Sequence, residues 1–129
     1  MKKLLLGIAA VCLAGFTFAQ DAPLWMRHSV ISPDGTTIAF TYKGDIYTVP
    51  VAGGRAMQIT TNPAYDTAPV WSPDSKRIAF ASDRMGSLDV YIVAKDGGEP
   101  RRLTTHSGSE TPLAFTDAGH VLFSAGIMP

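Results

Sequence analysis

The sequence predicts an all-β chain, an incomplete β-propeller of about two and a half four-stranded blades behind a signal peptide. Three observations predict it. Ser32-Pro33-Asp34-Gly35 ahead of Ile38-Ala39-Phe40 returns 40 residues later as Ser72-Pro73-Asp74-Ser75 ahead of Ile78-Ala79-Phe80, and self-similarity at that spacing marks a repeat architecture. The 12 glycines and 9 prolines punctuate short apolar runs, the pattern of strands joined by many turns. Small residues alternate with large ones in the repeated strand, so neither face is polar, which suits blades stacked against each other on both sides. A two-sheet sandwich would hold the same strands without calling for a near-copy of Ser-Pro-Asp at that interval.

Residues 1–19 read as a signal peptide. Lys2 and Lys3 give a positive start, Leu4 to Ala14 is apolar but short for a bilayer, and Thr17-Phe18-Ala19 offers a cleavage site before Gln20. The protein is therefore expected to be exported, periplasmic or extracellular, with no membrane span in the mature chain. The single cysteine, Cys12, lies inside this segment behind Val11 rather than a small residue, which argues against lipidation. The mature chain is expected to carry no cysteine and to depend on its core.

A short linker, residues 20–28, leads into a partial propeller over 29–129. The first blade, about 29–61, has strands at Ser29-Val30-Ile31, Thr37 to Tyr42, Asp45 to Val51 and Ala56 to Thr60, with His28 ahead of the first of them. Ser32-Pro33-Asp34-Gly35, Lys43-Gly44 and Gly53-Gly54 are the turns. The second, about 66–105, repeats this order with Ala68 to Trp71, Arg77 to Ala81, Leu88 to Val93 and Arg101 to Thr104. Asp45-Ile46-Tyr47 matches Asp89-Val90-Tyr91 at an offset of 44, the four extra residues falling in the loop Ser82 to Ser87, where a repeat scaffold tolerates insertion. The third, 111–129, holds Thr111 to Phe115, a degenerate turn at Asp117-Ala118-Gly119 and His120 to Ser124, and is truncated.

Without Lys2 and Lys3, nine basic residues face eleven acidic ones, and no basic stripe exists, so a nucleic-acid partner is not expected. The three histidines, His28, His106 and His120, lack the spacing of a helical zinc motif. No cofactor or metal is expected. Ser107-Gly108-Ser109 beside His106 is not a nucleophile elbow, and the paired glycines precede strands rather than helices, so they read as hairpin turns. No catalytic residue is identified. Asp83 and Arg84 are the polar pair singled out as a contact for a peptide or partner; the alternative is that Asp83 bonds loop backbone while Arg84 packs across neighbouring strands. Trp71 and Phe115, at matching positions, are expected in the core between blades.

Trp71-Ser72-Pro73-Asp74-Ser75-Lys76-Arg77-Ile78-Ala79-Phe80, continued by Ala81-Ser82-Asp83-Arg84 and Asp89-Val90-Tyr91, resembles the WD40-like Pro-Asp repeat of TolB-type and tricorn-type propellers. The segments Pro23 to Arg27, Thr41 to Tyr47 and Asn62 to Thr67 look more narrowly like the N-terminal propeller of secreted tricorn-like serine peptidases. TolB itself usually has a small α/β domain before its propeller, for which the distance from Gln20 to the first strand leaves no room. The resemblance implies a propeller that gates and binds substrate peptides, with proteolysis in a separate C-terminal domain. The alternatives are a non-catalytic periplasmic propeller for protein–protein interaction, as in TolB, or the propeller of a prolyl-oligopeptidase-type hydrolase. Expected partners are peptides or proteins and the rest of the protein's own propeller and peptidase domains, or other copies of the chain completing one ring.

Overall fold

The computed structural model describes residues 25–126, and the expected signal peptide lies outside them. Every regular element among the described residues is a strand. The first sheet runs β1 (Met26–Ile31), β2 (Thr37–Tyr42), β3 (Asp45–Pro50) and β4 (Met57–Gln58). The second runs β5 (Asp66–Trp71), β6 (Arg77–Ser82), β7 (Asp89–Ala94) and β8 (Arg101–Arg102). In both, each strand pairs antiparallel with the next in chain order. A third sheet holds β9 (Glu110–Asp117) and β10 (His120–Ala125). The molecule is thus two four-stranded blades and part of another, an incomplete β-propeller.

The corner between the first two strands of each blade is built by the repeated Ser-Pro-Asp. Asp74 Oδ1 accepts from the Ser72 hydroxyl at 2.5 Å and from the Lys76 N–H at 3.0 Å, and Asp34 does the same with Ser32 and Thr36. The serine hydroxyl then accepts the Arg77 N–H at 2.9 Å in one copy and the Thr37 N–H at 3.0 Å in the other. These bonds, with the serine first, hold both carboxyls below the usual aspartate range. Gly35 and Ser75 follow at φ 73° and 59°, a left-handed conformation natural to glycine and costly for serine. Ser75 has a reason to be there, since its hydroxyl accepts the Asp34 N–H of the neighbouring blade at 3.0 Å.

Several strand boundaries differ from the sequence reading. The opening strand begins at Met26 and contains His28, because a bulge lets the ladder continue past it. The register shifts between Arg27 and Val30, and again between Thr67 and Val70, with His28 and Ala68 at φ 51° and 52°. The fourth strands are two residues long rather than four or five. Their ladders stop because a threonine hydroxyl takes over: Ile46 N–H donates to Thr60 Oγ1 at 3.0 Å, and Val90 N–H to Thr104 Oγ1 at 2.9 Å.

Packing between blades follows from side-chain alternation. On β2 and β3, Phe40 sits opposite Tyr47 and Ala39 opposite Thr48, so one face is large and the other small. The second blade repeats this with Phe80 opposite Tyr91 and Ala79 opposite Ile92. The small face of the first blade, with Ala39 and Ile46, receives Trp71, Ile78, Phe80, Tyr91 and Val93 from the large face of the second, and all are buried. Trp71 donates its indole N–H to the Val30 carbonyl across this boundary at 3.1 Å. The small face of the second blade in turn meets Phe115, Val121 and Phe123 around a cavity of about 270 Å³.

Candidate functional site

The loop after β6 brings the sequence-selected pair to the start of β5. Asp83 is exposed, and its Oδ1 accepts the Tyr65 N–H at 2.8 Å. Arg84 turns inward. Its guanidinium NH2 lies 3.2 and 3.1 Å from the two carboxylate oxygens of Asp66, which is fully buried. Its Nε donates to the Ser82 hydroxyl at 2.8 Å, and its guanidinium carbon sits 4.4 Å over the Tyr91 ring and 5.6 Å from the Phe80 ring. The Arg84 side chain is 12% exposed. Arg84 therefore links the first strand of its blade to the aromatic pair on the middle strands, an ion pair combined with a cation–π contact.

Asp66, Ser82 and Tyr91 complete this constellation and were not singled out from the sequence. One signal was available: Asp66-Thr67 and Glu110-Thr111 recur at an offset of 44, each opening a first strand. Beside Arg84 runs a polar groove of about 320 Å³ between the 59–63 segment and the 98–100 turn, lined also by Asn62 and Glu99. It is open, and its donors and acceptors suit peptide backbone better than an apolar ligand.

The first blade lacks the arginine. Met26 stands where the second blade has Asp66, Tyr42 where it has Ser82, and the loop is the two-residue turn Lys43-Gly44 at φ 49° and 87°. Its large face is a shallow apolar pocket of about 290 Å³ lined by Met26, Phe40, Tyr42, Tyr47, Val49 and Ala56. Phe40 and Tyr47 stack there at 5.8 Å, as Phe80 and Tyr91 do at 6.0 Å. At the edge of this blade, burial is the main cause of a raised Asp45 carboxyl pKa, with the Asp66 charge adding to it.

The described residues contain no group of three or more His, Cys, Asp or Glu placed to hold a metal. His28 Nδ1 lies 3.2 Å from Thr67 Oγ1 across the blade boundary. His106 Nδ1 accepts the Gly108 N–H at 3.0 Å, and His120 pairs with Asp117 at 2.8 Å on the surface. His28 thus joins the first two blades, while His106 and His120 serve local geometry.

Residues 23–127 match the family described as the tricorn protease N-terminal beta propeller domain. The chain belongs to that family. As a tricorn-type propeller it is 35% identical over 102 residues to tricorn protease homolog 1 of Streptomyces coelicolor, covering 78% of this chain and 9% of that protein. It is 30% identical over 129 residues to the uncharacterized peptidase YuxL of Bacillus subtilis, covering 98% of this chain and 20% of that one. A shorter stretch of 55 residues is 44% identical to the Tol-Pal system protein TolB of Bordetella pertussis, covering 42% of this chain and 13% of that one. The crystal structure of the tricorn protease superposes with a TM-score of 0.67 at 22% identity, over 80% of this chain and 11% of that one. TolB from Acinetobacter baumannii gives 0.67 at 23% identity, over 78% and 26%. The chain spans a fifth or less of these curated relatives, and the solved structures share its propeller fold.

Proposed function

We propose that this tricorn-type propeller is the opening segment of a secreted serine peptidase, and that it admits and orients peptides while a separate C-terminal domain cleaves them. The observation that carries the reading is the family match over residues 23–127, together with an architecture whose polar atoms go into building blades. The polar groove beside Arg84 and the exposed Asp83 are the proposed peptide contacts. The basic n-region and apolar run of residues 1–19 support export.

The full-length protein should hydrolyse peptides and be blocked by a serine-directed inhibitor. Asn62→Ala with Glu99→Ala, in the groove lining, should raise KM severalfold for long peptides and leave kcat within about twofold, as expected when binding outside the reacting centre is lost. A full-length product without inhibitor-sensitive hydrolysis would exclude the reading. The identity to TolB favours a second one, a non-catalytic propeller that binds proteins. In that case the same groove variant would weaken capture of a protein partner with no hydrolysis to measure.

A further inference from the structure

A hollow of about 340 Å³ opens between the first two blades where β1 and β5 begin, lined by Trp25, Arg27, Thr41, Lys43, Gly44 and Tyr65. Tyr65 is set firmly at its edge. Its N–H donates to Asp83 Oδ1 at 2.8 Å, its carbonyl accepts the Asp83 N–H at 3.3 Å, and the next N–H, of Asp66, donates to the Gly44 carbonyl at 2.7 Å. Gly44 makes room for the ring, since a Cβ there would come 3.3 Å from Tyr65 Cδ2. With its backbone held, Tyr65 is still 46% exposed, and Trp25 is 60% exposed. Aromatic faces fixed in place yet open to water offer stacking surface to a ligand.

The repeat shows that the fold does not require these side chains. Trp25 and Tyr65 each stand just ahead of a first strand, where the third blade has Ser109. Arg27 holds the register position of Thr67 in the second blade, Thr41 that of Ala81, and Lys43 that of Asp83. The charge is one-sided, because no carboxylate lines the hollow. Asp45, beside Gly44, accepts from Gln58 and Thr60; Asp66 is taken by Arg84; Asp83 holds the Tyr65 N–H. Arg27 and Lys43 are exposed and make no ion pair among the described residues, although Lys43 Nζ sits 5.4 Å over the Tyr42 ring. Thr41 is buried, and its Oγ1 has no hydrogen-bond partner among the described residues.

Two uncommitted cations beside two open aromatic faces complement a carboxylate carried next to an apolar group. We infer that the hollow is a further peptide subsite, which takes an acidic side chain of a bound peptide on Arg27 and Lys43 and its aromatic or apolar neighbour on Tyr65 and Trp25. The inference rests on the proposed binding of peptides and adds a preference for acidic ones. Pro63 lines the polar groove beside Arg84 and Tyr65 lines the hollow, so the two lie within reach of one extended peptide.

The test measures binding of labelled peptides to the full-length protein by fluorescence anisotropy, with a serine-directed inhibitor present so that the readout is independent of hydrolysis. The probe is Ala-Ala-Glu-Phe-Glu-Ala-Ala with an amidated C-terminus, compared with the same peptide carrying Gln for Glu. The Glu peptide should bind about tenfold tighter, the size of one charged contact, and high salt should shrink the difference. Arg27→Gln with Lys43→Gln, at exposed positions, should leave thermal unfolding unchanged and abolish the preference. Tyr65→Ser, which installs the residue of the third blade, should weaken both peptides severalfold. Equal binding of the two peptides, a preference that survives the double substitution, or a Gln peptide with a free C-terminal carboxylate that matches the Glu peptide would each overturn the inference. So would tighter binding of anionic vesicles or of an oligonucleotide than of the Glu peptide. A preference for Glu without any hydrolysis would count only against the proposed peptidase, whereas hydrolysis that responds to the Asn62 and Glu99 changes but shows no such preference would count only against this subsite.

Discussion

The Asp66–Arg84 pair is where one substitution should matter most. Arg84→Ala leaves a fully buried carboxylate without its cation and uncovers the Tyr91 ring. Breaking one side of such a pair costs about 3–5 kcal/mol. Arg84→Lys should recover only part of this, because an ammonium cannot reproduce the guanidinium's contacts with Asp66, Ser82 and the ring together. Chemical denaturation of the full-length protein, followed through Trp71, measures both. The turn aspartates give a pH signature of known sign. Their folded-state pKa values are lowered, chiefly by Ser32 and Ser72, so each contributes stability above its unfolded value near 3.9, and that contribution is lost as pH falls through the lower folded value. Asp34→Asn with Asp74→Asn should therefore flatten the fall in stability between about pH 5 and pH 2, as unfolding at several pH values would show. Ser75→Gly tests a different balance: it relieves a positive φ but removes the Asp34–Ser75 bond between blades. If that bond matters, the variant will be no more stable despite its easier backbone, although the other copy carries glycine at this position.

Elements carry the division between large and small faces. Ala39→Leu and Ala79→Leu each push a larger side chain into a fully buried position, and overpacking of this kind costs about 1–3 kcal/mol. Phe80→Ala, at a fully buried position, should cost about 3–5 kcal/mol through lost burial and the cavity left behind. Thermal unfolding ranks the three. This layer was the most legible in the sequence. Ile38-Ala39-Phe40 and Ile78-Ala79-Phe80 announce both the strand and its two faces, and the corner signal before them fixes where it starts. The fourth strands were less legible because Ile59-Thr60 and Leu103-Thr104 look like continuing strand, and only the fold reveals that each threonine hydroxyl substitutes for a ladder partner. Met26 and His28 escaped for a related reason, since a bulge breaks the alternation by which a strand is recognised. Asp83 and Arg84 were found as a pair, yet their separate fates, one on loop backbone and one on Asp66, depend on a residue 18 positions upstream of Arg84.

For the whole molecule, the uncovered surfaces decide behaviour. The large face of the first blade, where Met26 is exposed and Tyr42, Tyr47 and Val49 are half-buried around a shallow apolar pocket, repeats a face that is buried in the second, and Leu113, Leu122 and Phe123 are exposed at the other end. Residues 25–126 expressed alone should therefore self-associate, and Met26→Lys with Leu122→Lys should shift sedimentation toward the monomer. A concentration-independent monomer from the unaltered segment would count against that expectation. The brevity of β4 and β8 governs the manner of this association. With only Met57–Gln58 and Arg101–Arg102 forming those margins, and hydroxyls occupying the next backbone donors, a stranger's strand finds little ladder to extend there. At those two margins clumping should therefore proceed broadside, greasy plane upon greasy plane, whereas β10, a six-residue strand at the open edge of its sheet, is where a stranger's ladder would extend.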